Sequence, residues 1–183
     1  NCTPTSGYLN QNLANWTTLV TTGNGVAVSA ALSGTAITIN GVDNGNRAVL
    51  IAAGLTATAG NININGIGTS IYAVSNHNGA WAVAPIVANN GAVNITGIST
   101  TTGDGVFLGP SSSISAKSIT IIGSEVGGTY AVFLNELTIV AGGTNLNVTG
   151  TAGVTTHTGI YQAGAITNRA VGSNISFITN GKI

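Results

Sequence analysis

Apolar and polar positions alternate through a six-residue unit that returns along most of the chain. Ser118-Ile119-Thr120-Ile121-Ile122-Gly123 has close copies at Ala36-Ile37-Thr38-Ile39-Asn40-Gly41, Asn61-Ile62-Asn63-Ile64-Asn65-Gly66 and Ala92-Val93-Asn94-Ile95-Thr96-Gly97. Another is Asn145-Leu146-Asn147-Val148-Thr149-Gly150, and a looser copy runs from Ile175 to Gly181. The closing glycines are 25, 31, 26, 27 and 31 residues apart. Period-2 alternation predicts strands, and self-similarity at roughly 20–50 residues predicts a stacked array. Ile37/Ile39, Ile62/Ile64, Val93/Ile95, Ile119/Ile121 and Leu146/Val148 should pile up as inward aliphatic columns. Helix is excluded by the alternation and by the Gly and Asn punctuation.

Each repeat carries two further short apolar runs. The second opens on glycine or small residues, as in Gly79-Ala80-Trp81-Ala82, Gly105-Val106-Phe107-Leu108 and Gly159-Ile160-Tyr161-Gln162. The third is exemplified by Leu55-Thr56-Ala57, Ile86-Val87-Ala88 and Leu137-Thr138-Ile139-Val140. Three short strands per repeat predict a three-sided parallel β-helix, an all-β solenoid of five to six coils. An antiparallel sandwich also uses short strands and turns, but it does not require one hexad to return in register. The extra Ser70–Ser75 stretch reads as a turn insertion in one 31-residue repeat. Gly41, Gly66, Gly97, Gly123 and Gly150 are expected to supply positive φ at corners. Residues 1–32 depart from the repeat and read as a cap, or as an arm that docks on a neighbouring chain; 33–183 form the solenoid.

Composition sharpens this picture. Only 4 % of residues are charged, against about 25 % in ordinary domains. Net charge is zero, so little opposes association of copies. The cations Arg47, Lys117, Arg169 and Lys182 are scattered and make no nucleic-acid footprint. No apolar run approaches the roughly 20 residues of a membrane span. A chain beginning at Asn1 fits either a trimmed chain or an exported, processed protein, the latter placed outside the cell or at its surface. Cys2 is the only cysteine, so no intramolecular disulfide is possible. Sequons begin at Asn1, Asn15, Asn94, Asn147 and Asn174, and carry little weight in so Asn- and Thr-rich a chain.

The chemistry-bearing residues do not assemble into a known motif. Asp43 and Glu125 share one offset from the hexad glycine but lie three coils, roughly 14 Å, apart, beyond the about 6.5–9.5 Å of an inverting glycosidase pair. Asp104 and Glu136 fall at other offsets, and all four acids read as solvated turn residues. His77 and His157 read as turn histidines three coils apart, too distant to share a metal. The reading is therefore non-enzymatic, without cofactor or metal.

The surfaces are more informative. Thr38, Asn40, Asn63, Asn65, Asn94, Thr96, Thr120, Asn147 and Thr149 should face outward, where Asn amides can bond along the stack. Such a face is either simply solvated, or a lateral packing surface, or an ice-binding array. Trp81, Phe107, Tyr130, Phe133 and Tyr161 are expected mainly in the core; otherwise Trp81, Tyr130 and Tyr161 form an exposed strip for glycans or for another chain. Cys2, Tyr8 and Trp16 at one end, and Ile175, Phe177 and Ile178 at the other, are the candidate assembly residues.

The recurring I-x-I-x-G units, followed by Gly105-Val106-Phe107-Leu108 or Gly159-Ile160-Tyr161-Gln162, resemble bacterial surface β-helices. The most similar type is the repeat region of filamentous-haemagglutinin-like adhesins and autotransporter passenger domains. The resemblance implies export, attachment or fibre formation, and no catalytic residues. The expectation is an exported structural protein that self-assembles end to end into a filament or surface fibre. An adhesin binding glycans through a solenoid face is the alternative, and a polysaccharide-degrading β-helix enzyme a weaker one.

Overall fold

The computed structural model describes residues 8–9, 18–21, 25–43, 47–68, 79–135, 137–139, 145–168 and 174–183. The strands begin with β1 (Tyr8–Leu9), β2 (Thr18–Thr21), β3 (Val26–Val28), β4 (Leu32–Gly34), β5 (Ile37–Asp43), β6 (Val49–Ile51) and β7 (Leu55–Ala57). Next come β8 (Ile62–Gly68), β9 (Ala80–Ala82), β10 (Ile86–Ala88), β11 (Ala92–Ser99), β12 (Val106–Leu108), β13 (Ser113–Ser115) and β14 (Ser118–Glu125). The last are β15 (Tyr130–Leu134), β16 (Leu137–Ile139), β17 (Asn145–Thr151), β18 (Thr158–Gln162), β19 (Ile166–Asn168) and β20 (Ile175–Thr179).

They form three parallel sheets, the sides of one solenoid. Side A runs β1-β3-β6-β9-β12-β15-β18, side B β4-β7-β10-β13-β16-β19, and side C β2-β5-β8-β11-β14-β17-β20. Each strand pairs with its equivalents one winding away, about 4.8 Å along the axis. Side C carries the hexads in the expected register: Ile39, Ile64, Ile95, Ile121 and Val148 stand in one column, Ile37, Ile62, Val93, Ile119 and Leu146 in another. These ten side chains are at most 1 % exposed. Burial of stacked aliphatic columns is the main stabilising term available to so uncharged a chain. No helix of the described residues is long and apolar enough to cross a membrane.

The hexad glycines serve another purpose than the expected corners. Gly41, Gly66, Gly97, Gly123 and Gly150 lie inside strands β5, β8, β11, β14 and β17, and none has a left-handed φ. They face inward, and side A's backbone comes so close that a methyl at Gly97 would meet the Gly105 carbonyl and sit 2.8 Å from Val106 Cγ2. Glycine here permits two sides to touch, as it does wherever backbones approach closely. Thr179, not Gly181, occupies this column in β20.

The Ser70–Ser75 insertion lies outside the described residues, as do Cys2 and Trp16. Tyr8 is placed by its backbone alone, paired with Ala27.

Candidate functional site

On side C the outward Thr and Asn positions form two straight columns. Thr38, Asn63, Asn94, Thr120 and Asn147 make one; Asn40, Asn65, Thr96, Ile122 and Thr149 make the other. Asn65 Nδ2 donates to Asn40 Oδ1 at 2.7 Å, and Asn94 Nδ2 to Asn63 Oδ1 at 2.9 Å. Amides at the pitch of a parallel sheet thus satisfy one another along the axis. They spend hydrogen-bonding capacity within the protein that an ordered water lattice would need.

On side A the aromatic residues face outward, which corrects the expectation of core. The inward places of the short strands are held by Ala80/Ala82, Val106/Leu108 and Val132/Leu134, all buried. Trp81, Phe107, Phe133 and Tyr161 follow one another in a single outer column. Trp81 stacks on Phe107 with centroids 3.9 Å apart, and Phe107 on Phe133 at 4.6 Å. Tyr130 stacks on Tyr161 at 4.7 Å and is tilted against Phe133 at 5.3 Å. Arg47 caps the other end, its guanidinium 3.9 Å from the Trp81 ring centre. The ring faces of the ladder are turned mostly to one another, so Phe107 and Phe133 have little face to offer a sugar. Tyr161, 40 % exposed in the last strand of side A, has no ring beyond it among the described residues.

At the corner after β14 a buried acidic side chain meets a half-buried histidine, the one such contact among the described residues. Glu125 is 1 % exposed, against the expected solvated turn residue. It accepts from Gly128 N–H at 2.7 Å and from Gly153 N–H at 3.1 Å, and its Oε1 lies 3.0 Å from His157 Nδ1. Glu125 and His157 belong to adjacent windings, so Glu125 ties its own corner to the next. One winding earlier, Asp104 Oδ1 accepts from Tyr130 N–H at 3.2 Å. Burial pushes the Asp104 carboxyl up to about 6; the Tyr130 N–H bond opposes the rise and nearby Glu125 adds to it. Ser99, buried in the register position of Glu125, accepts from Gly103 N–H at 3.1 Å. The shared task of this corner column is to satisfy turn amides. Among the described residues no group of three or more His, Cys, Asp or Glu is arranged to hold a metal. Glu136, His77 and the Asp43 side chain lie outside the described residues.

The remaining candidates sit at the C-terminal winding. Ile175 and Phe177 continue the two aliphatic columns. Leu146 and Val148 beneath them are closed to solvent at 1 % and 0 %, whereas Ile175 is 42 % exposed and Phe177 half-buried. Ile178, in an outward column, is 62 % exposed. β18, β19 and β20 are edge strands at this end, and β1, β4 and β2 at the other. Comparison with family models, with curated proteins and with solved structures found no match to this chain.

Proposed function

We propose that this chain is a non-enzymatic, exported structural protein whose copies join end to end into an extracellular filament or a cell-surface fibre. The observation that carries the reading is the opening of the core columns at β20. Side chains of a type sealed from β5 through β17 are left in contact with water there. All three sheets end in parallel edge strands, which template further pairing unless they are blocked. Charge is too sparse to oppose a second copy at that end. Heterologous, head-to-tail contacts between like units generate open filaments when the rotation does not close.

The test is electron microscopy and sedimentation of the purified 183-residue chain, beside the same chain carrying Ile175→Asp and Phe177→Asp. Filaments for the parent and short species for the variant are expected. A parent that stays monomeric at high concentration and low salt overturns the reading. The exposed Tyr161 favours a second reading, glycan attachment along side A. A glycan array whose signal is lost in Tyr161→Ala would support it.

A further inference from the structure

The two ends of the molecule are complementary in a way that fixes how copies would meet. After β20 the chain crosses back to side A, where Lys182 bridges to Thr158 at the start of β18. Gly159 N–H donates to Lys182 O at 2.9 Å, and Lys182 N–H to His157 O at 3.2 Å. A further strand is thus begun over the first half of β18. Tyr161 and Gln162, its second half, have no strand above them among the described residues. At the opposite end β1 is described over Tyr8–Leu9. Following the pairing winding by winding, Tyr8 stands in the column of Tyr161, and Leu9 in that of Gln162. The described residues of β1 therefore share the register of the part of β18 that Lys182 does not pair with.

We propose that the junction is a composite winding: Lys182 of one copy and Tyr8–Leu9 of the next together complete the side A strand over β18. This rests on the end-to-end reading. On side C the same operation lays β2 of the next copy over β20. By register Thr18 then follows Ser176, Leu19 follows Phe177, and Val20 follows Ile178. In backbone register the position of Leu19 thus succeeds that of Phe177, and the position of Tyr8 succeeds that of Tyr161. Parallel stacking of like columns sets this register, because a two-residue slip puts Val20 over Ser176 and leaves Phe177 without its aliphatic neighbour.

Disulfide trapping in a Cys2→Ser background tests the junction. Column neighbours in adjacent parallel strands are about 4.8 Å apart, within the disulfide range of about 4.4–6.8 Å. Within one chain the same columns put Val20 and Ile178, or Leu9 and Gln162, six strand spacings apart, about 29 Å, so only a neighbouring copy can supply the second thiol. Val20→Cys with Ile178→Cys, and Leu9→Cys with Gln162→Cys, are each expected to give a ladder of multimers on a non-reducing gel after mild oxidation. Thr18→Cys with Ile178→Cys, displaced by two residues to about 8 Å, is expected to give none. Trapping of the displaced pair, or of the side C pair without the side A pair, overturns the composite winding. Filaments of the parent seen by microscopy would leave the end-to-end reading standing in that event; monomers throughout overturn both.

Discussion

Replacing Gly97 by alanine is expected to cost the solenoid about 3 kcal/mol, although the change adds one methyl and breaks no visible contact. The methyl would point inward from the middle of β11, into the Gly105 carbonyl of side A, 2.6 Å from its carbon and 2.8 Å from Val106 Cγ2. Carbon atoms rest at about 3.5–4.0 Å, so one of the two sides must retreat. The Gly105 oxygen is not free to do so, since it accepts from Ala80 N–H at 3.0 Å in the winding below. Overpacking a close-packed interior costs about 1–3 kcal/mol, and a weakened ladder bond about 1 kcal/mol more. In a chain of this length each kcal/mol moves the midpoint by about 2–4 °C, giving a fall of about 6–12 °C. The control is Gly54→Ala, whose methyl meets nothing nearer than Pro85 O at 3.7 Å. With no left-handed φ there, it should be neutral or raise stability by about 0.4–1 kcal/mol, through the unfolded chain. Thermal unfolding followed by circular dichroism decides. If Gly97→Ala and Gly54→Ala melt alike, close approach of the two sides is not why glycine stands in this column.

Alternation along β14 predicts that Ile121→Ala, in the sealed column, loses about 2–5 kcal/mol, while its neighbour Ile122→Ala, 41 % exposed, stays within about 0.5 kcal/mol; denaturant titration of the two variants checks this. Glu125→Ala leaves the Gly128 and Gly153 amides without their acceptor and should cost about 2–3 kcal/mol or more, whereas Ala in place of the exposed Lys117 should not register in the same titration. Asp104 titrates in the folded protein near 6 against 3.8 ordinarily, so the fold binds the proton more tightly than the unfolded chain. Its contribution is whole below about pH 4 and lost as pH rises to about 6, about 3 kcal/mol in all. Stability measured across that window should fall for the parent and fall less for Asp104→Asn. Phe133→Ala removes the ring between Phe107 and the two tyrosines and should cost about 0.5–1.5 kcal/mol per lost ring pair, beyond its buried area.

Side C was legible because its strands are long enough for alternation to set a phase. Ile119 and Ile121 point in, Thr120 and Ile122 out, and the next winding repeats the choice. The same phase carried further than the hexad suggests. Gly123 and Glu125 fall on the inward beat of Ile119 and Ile121, so the glycine's place inside the strand and the burial of the glutamate were both written in the spacing. A hexad read as closing on its glycine hides both, and a carboxylate in a chain with so few charges reads by type as a solvated group. What no single repeat contains is the partner. Gly153 and His157 reach Glu125 only because one winding lies on the next, 28 and 32 residues later. Side A gave no phase at all. Its strands are mostly three residues long, and Val106-Phe107-Leu108 offers no polar position from which to tell inside from outside. The face was decided by volume: the narrow interior of a three-sided coil takes alanine, valine and leucine at the inward places and turns Trp81, Phe107 and Phe133 outward, where each ring finds its neighbour one winding away. Columns of like residues are thus cause and consequence together, since each winding offers the next a surface that its own composition fits best. At β20 that surface is offered to whatever lies beyond.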